Sequence, residues 1–341
     1  MATIYEVSKL AGVSLATVSR VINNTATVRE ATRERVEKAM RELGYQPNTM
    51  AQSLASNRSN SVGVVVSELN GPFYGTLLSE IEKAFRAVGK HVVFAASHSD
   101  QAIEQQSIEF LKSRRVDALI LHVESVSDEY LAKLNQTDCP VIILNRDVPA
   151  LEKQCITLNN RLGGYLAAHY LLQLGHRDIA YIAGPQWKSD ARDRYLGHCD
   201  ALREAGIEPN PELFYEGDFQ ETGGTQGFLA LQQKAIAFSA VVCGNDEMAA
   251  GVIAEAHDQD IDIPEKLSII GFDNVNFSHY VYPKLTTIDY PIASMGQMAA
   301  HWILQHVYQQ KTPPLQQLFE PKLVIRDSTT HYDDNCAKNS P

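Results

Sequence analysis

Small apolar residues recur at helical spacing through the first two dozen positions. Val7, Ala11, Val13, Val18 and Val21 fall on one side of two short helices that meet at Gly12. That is the pattern of a steep helix crossing, where small side chains must interlock. Gly12 supplies the backbone freedom of a three-residue turn, and Ser14 stands where a hydroxyl caps the second helix. Leu15, Ala16, Ser19 and Arg20 are left facing outward. A third helix is predicted from Arg29 to Leu43, with Val36, Ala39, Met40 and Leu43 at helical spacing and Gly44 as its stop. The first 46 residues thus read as an all-α helix-turn-helix domain.

Residues 47–60 form a polar connector. It has one short helical possibility, from Asn48 to Ala55 after Pro47, which is marginal alone because nucleation is spread over few hydrogen bonds. From Ser61 the period changes. Apolar, β-branched runs at Val62–Val66, His91–Ala96, Ala118–Val123, Val141–Leu144, Ile179–Ala183, Ala240–Cys243 and Leu267–Gly271 alternate with helical stretches such as Leu77–Val88 and Gly163–Leu174. This alternation predicts an α/β core of parallel sheets with right-handed crossovers, and there are enough strands for two sheets. The tail, residues 331–341, has no apolar periodicity and is expected to fray.

The length, 341 residues, calls for two or three domains. The formal charge of -11 looks wrong for a nucleic-acid partner until it is divided. Residues 1–58 hold eight Lys/Arg against five acids, a net of +3, which leaves -14 for the remainder. Only the head suits phosphate. No basic, apolar leader opens the chain and no stretch approaches a membrane span, so a cytoplasmic protein without a membrane partner is expected. Five cysteines, far apart and never in Cys-x-x-Cys spacing, point to reduced thiols rather than disulfides or a metal site. No cofactor is expected.

Ala2-Thr3-Ile4, Gly12-Val13-Ser14, Ala16 through Asn23, Thr32-Arg33, Leu43-Gly44-Tyr45, Pro47-Asn48, Ala51 and Leu54 resemble the lactose/galactose repressor (LacI/GalR) family. Later motifs extend the resemblance to about Thr329. Arg29 stands where the family usually has a capping serine, and Ser8 replaces a common alanine. The resemblance implies a periplasmic-binding-protein-like core, residues 61–330, in two lobes: roughly 61–158 with 291–320, and 159–290 with 321–330. They are joined by crossings near Leu158, Tyr290 and Glu320. It implies a hinge helix in which Leu54 wedges into the minor groove. It also implies a homodimer on double-stranded operator DNA, since tetrameric members carry leucine heptads in the tail and this chain has none. The expected DNA-contact set is Thr3, Ser14, Leu15, Ala16, Thr17, Ser19, Arg20, Asn23, Asn48 and Leu54. Arg20 would read guanine, Leu15 and Ala16 would meet thymine methyls, and Ser14, Thr17 and Asn23 would touch phosphate.

Ligands of parallel sheets bind beyond the carboxyl ends of the strands, and there this chain is polar or aromatic. The candidates for a small effector are Phe73, Tyr74, Asn145, Arg194, Phe219, Asn245, Asp246 and Asp273. Acids and amides grip vicinal hydroxyls, Arg clamps, and rings cover the less polar sugar face. Asp246 or Asp273 could instead cap a helix, and Tyr74 could simply pack. Trp187, Lys188 and His98 lie near the same ends without a readable aim. The resulting expectation is a transcriptional repressor released from DNA by a sugar, with a corepressor such as a nucleobase as the alternative. A transport receptor would need an export signal, and an enzyme would need a phosphate loop, a Gly-x-Ser-x-Gly elbow or a metal motif that the sequence lacks.

Overall fold

The computed structural model describes residues 2–23, 28–46, 58–234 and 236–332, and the chain divides into two compact units, Met1–Asn60 and Ser61–Pro341. In the first, α1 (Ile4–Ala11), α2 (Leu15–Asn23) and α3 (Glu30–Glu42) close around Val7, Ala11, Val18, Val21, Val36 and Ala39. Thr3 and Glu6 form a reciprocal capping box: the Thr3 N–H donates to the Glu6 carboxylate at 2.7 Å and the Glu6 N–H to the Thr3 hydroxyl at 3.4 Å. Gly12 ends α1 at φ 63, and the Thr17 N–H donates to the Ser14 hydroxyl at 3.2 Å, capping α2. The Ser8 hydroxyl donates to the Val13 carbonyl at 2.6 Å and so braces the turn. Arg29 makes no side-chain cap bond to α3.

The second unit carries two six-stranded sheets. Its strands are β1 (Ser61–Val66), β2 (His91–Ala96), β3 (Ala118–Leu121), β4 (Val141–Leu144), β5 (Cys155–Leu158), β6 (Ile179–Ala183), β7 (Phe214–Glu216), β8 (Ala240–Cys243), β9 (Ser268–Asp273), β10 (Thr286–Asp289), β11 (Leu318–Phe319) and β12 (Lys322–Val324). Their orders are β11-β5-β4-β3-β1-β2 and β12-β10-β9-β8-β6-β7. Every pairing is parallel except β10 with β12. The helices are α4 (Pro72–Arg86), α5 (Gln101–Ser113), α6 (Asp128–Leu134) and α11 (Ile292–His306) with the first sheet, and α7 (Asn160–Gln173), α8 (Ser189–Glu204), α9 (Glu221–Gln233) and α10 (Asp246–Asp258) with the second. Helices on both faces bury the central strands on both sides, so β3, β4 and β8 read as unbroken apolar runs rather than alternating ones.

The chain passes between sheets after β5, after β10 and between β11 and β12. Helix α7 lies against α8 so closely that a Cβ at Gly164 would meet the Arg194 carbonyl oxygen at 1.8 Å, and one at Gly197 would meet that of Arg161 at 1.8 Å. Only glycine allows this approach, and it fixes the height of Arg194 beside the start of α7. Among the described residues no helix is long and apolar enough to cross a membrane, and no group of three or more His, Cys, Asp or Glu could hold a metal. Cys139, Cys155, Cys199 and Cys243 are free thiols; Cys336 lies outside the described residues.

Candidate functional site: the cleft between the lobes

Between the two sheets, at the carboxyl ends of their strands, lies a cleft of about 290 Å³. Arg194, on α8 and 3% exposed, forms its floor. Its Nε donates to Asn160 Oδ1 at 2.9 Å and its Nη1 to the Gly244 carbonyl at 2.6 Å; Nη1 also lies 3.5 Å from Asp273 Oδ1. The guanidinium sits 3.8 Å over the Phe272 ring. It is held as a flat, fixed fork, the form in which Arg grips paired oxygens. Asp273 ends β9 at φ 109, a costly conformation for a residue with a side chain. Burial pushes its carboxyl well above the ordinary range, although Arg194 pulls the other way.

Asn245 has two tasks. Its Oδ1 accepts the Met248 N–H at 2.9 Å, capping α10, and its Nδ2 donates to the Phe219 carbonyl at 2.8 Å. Phe219, at φ 69, lays its ring over Gly184, where a Cβ would come within 2.1 Å of it. Phe73 and Tyr74 line the opposite wall, edge to face with centroids 5.2 Å apart. Phe73 also meets Tyr290 at 5.0 Å and Tyr74 meets His122 at 5.4 Å. Ser67 Oγ and both His122 ring nitrogens are buried with no hydrogen-bond partner among the described residues, and both side chains line the cleft. Burial lowers the His122 pKa, which keeps the ring neutral.

Six of the eight effector candidates therefore share one cleft: Phe73, Tyr74, Arg194, Phe219, Asn245 and Asp273. Asp246 does not. It is fully buried, accepting the Val275 N–H at 2.9 Å and the Thr287 hydroxyl at 2.5 Å, and burial pushes its carboxyl up to about 7. Nor does it cap α10, since Asn245 does that. Asp273 caps no helix either, because the short turn Asn276–His279 has Val275 at its start. Asn145 faces an adjoining chamber, where its Nδ2 donates to Asp190 at 3.0 Å.

Sequence reasoning missed Ser67, His122 and Glu124, left the aim of Lys188 open and gave Asp190 no role, yet all five line the cleft. The apolar run Ala118–Val123 reads as one strand, yet β3 stops at Leu121, so His122 is the first residue beyond a strand's carboxyl end. Ser67 follows β1 in the same way. Lys188, from the second lobe, pairs with Glu124 of the first at 2.7 Å and donates to Ser99 Oγ at 3.2 Å. His98 is a rim residue 3.3 Å from Glu68.

In the head, Thr3, Ser14, Ala16 and Arg20 are exposed and Leu15, Thr17 and Ser19 half-buried. Thr3 is engaged in its capping box, and the Ser14 and Thr17 hydroxyls lie 2.9 Å apart. The Asn23 side chain, Asn48, Leu54 and the hinge helix lie outside the described residues.

The model for bacterial regulatory proteins of the lacI family matches residues 3–48, and that of a periplasmic binding protein-like domain matches residues 168–329. The chain is 40% identical over 330 residues to the HTH-type transcriptional regulator GalR of Escherichia coli, spanning 97% of this chain and 96% of GalR. The chain belongs to the LacI family. Among solved structures, the lac repressor dimer bound to operator and the anti-inducer ONPF is similar with a TM-score of 0.84 at 30% identity, over 96% of this chain and 99% of that one. A CelR–cellobiose complex is similar with a TM-score of 0.69 at 29% identity, over 96% of this chain and 100% of that one. As a LacI-family member the protein is a DNA-binding transcriptional regulator of the kind that binds operator DNA and a small-molecule effector. Its relatives are regulators, not enzymes.

Proposed function

We propose that the chain is a homodimeric repressor released from its operator by a sugar bound in the interlobe cleft. The observation that carries this reading is the fixed Arg194 fork beside Asp273 and Asn245, with the Phe219 and Phe73 rings as facing walls. Vicinal hydroxyls require donors and acceptors in a fixed array, and rings suit the apolar face of a pyranose. Unpartnered Ser67 and His122 supply further sites for ligand hydroxyls. The similar CelR structure holds cellobiose, which supports a carbohydrate in this architecture.

A ligand that contacts both lobes favours one interlobe arrangement by its differential affinity for the two. That bias passes along residues 47–60 to the heads. There Arg20 reads guanine, Leu15 and Ala16 meet thymine methyls, and Ser14, Thr17 and Asn23 touch phosphate. Thr3, Ser19 and Asn48 complete the contacts, and Leu54 wedges the central step of the site.

A thermal-shift screen of mono- and disaccharides against nucleobases, followed by operator titration with each hit, tests the reading. A sugar is expected to raise the melting temperature and weaken operator binding. Stabilisation by nucleobases alone, or a sugar that tightens operator binding, would contradict it.

A further inference from the structure

The cleft does not end at Arg194. A second chamber of about 200 Å³ adjoins it, and the two share Glu124, Trp187, Lys188 and Asp190. We infer that this shared lip is a second sugar subsite built on Trp187 and Lys188, so that the effector is a disaccharide. The inference rests on the sugar reading above and extends it to residues whose aim the sequence left open.

Size is the first argument. A six-membered ring such as benzene fills a cavity of about 150 Å³, so each chamber suits one pyranose, whereas the two in series suit a pair. Exposure is the second. Trp187 stands 52% exposed and lines both chambers, so its ring face is accessible for a sugar ring to stack on.

The third argument is the polar partner. The Lys188 ammonium lies 5.4 Å from the Trp187 ring centre and 5.8 Å from that of Phe219, between the platforms of the two chambers. Glu124 and Ser99 take two of its three N–H donors, leaving one for a hydroxyl. The contacts of Glu124 among the described residues use Oε2, leaving Oε1 as an acceptor. The loop that presents Glu124 is itself pinned, because the buried Glu104 carboxylate accepts the N–H groups of Glu124, Ser125 and Val126 at 2.9, 2.9 and 2.7 Å. A preorganised donor and acceptor beside an exposed indole is what the second ring of a glycoside requires.

The test is isothermal titration of the full chain with cellobiose, lactose and melibiose and with glucose and galactose, repeated on Trp187→Ala and Trp187→Phe. At least one disaccharide is expected to bind roughly tenfold tighter than either monosaccharide. Trp187→Ala should lower that ratio about tenfold, and Trp187→Phe should restore most of it, the size expected of one stacked ring. If a monosaccharide binds as tightly as every disaccharide, or if Trp187→Ala weakens both alike, the second subsite is overturned while the sugar reading stands. If no sugar of either size binds, both fall together.

Discussion

Two acids at strand ends, Asp246 and Asp273, show how single residues divide the work. Asp273 meets Arg194 at the cleft floor, so Asp273→Ala should weaken effector binding roughly 10- to 100-fold, the loss of a buried hydrogen-bonding partner for ligand and Arg194 alike. Operator binding should stay unchanged, as titrations of sugar and DNA would show. Asp246 instead sits beneath the cleft with a carboxyl pushed from 3.8 up to about 7. Its folded pKa lies above its unfolded one, so its contribution to stability is complete below about pH 4 and is lost as pH rises through about 7. Asp246→Asn should therefore stabilise the protein at pH 8.5 on the order of 2 kcal/mol, roughly 5 °C in melting temperature, and much less at pH 4.5, because the loss accrues between about pH 4 and 7. Melts at both pH values check this, and a difference independent of pH would contradict it. Both acids follow an apolar run with polar neighbours, so the sequence marks them alike. What separates them is depth, decided by Thr287 and Val275 arriving from elsewhere in the chain.

At the scale of elements, the helices are legible because their burial follows a local period, and the central strands because they are unbroken apolar runs. β5, β7, β10, β11 and β12 are not, since they are short and none is buried along its whole length as β3, β4 and β8 are. The near-contact of α7 and α8 is likewise hidden: Gly164 and Gly197 look like weak helix formers until the crossing is seen. Gly164→Ala should push the helices apart, costing about 2 kcal/mol or more and shifting Arg194. A melting temperature lowered by roughly 5 °C together with weakened sugar binding is the expected outcome. In the head, the Ser14 cap reads directly from its position before α2. Ser14→Ala should cost that helix about 1 kcal/mol, seen as several-fold faster amide exchange at Thr17 and Val18.

Taken as one molecule, the chain separates its charges by task. A net positive head is joined to a strongly acidic core, so attraction to DNA is confined to the part that reads it. The family pattern of the head and the alternation of the core made the architecture legible. The ligand was not, because the cleft is assembled from the ends of strands β1, β2, β3, β6, β7, β8 and β9, and their convergence is a property of topology rather than of any local stretch. The central claim is that sugar occupancy of the cleft controls the grip of the heads. The most direct test is the fluorescence anisotropy of a labelled pseudo-palindromic operator titrated with the protein, with and without the sugar that most raises its melting temperature. The account predicts tight binding that falls steeply with salt through counterion release and weakens at least tenfold when the sugar is present. Operator binding that the stabilising sugar leaves unchanged, or no preference for the operator over random duplex, would contradict it.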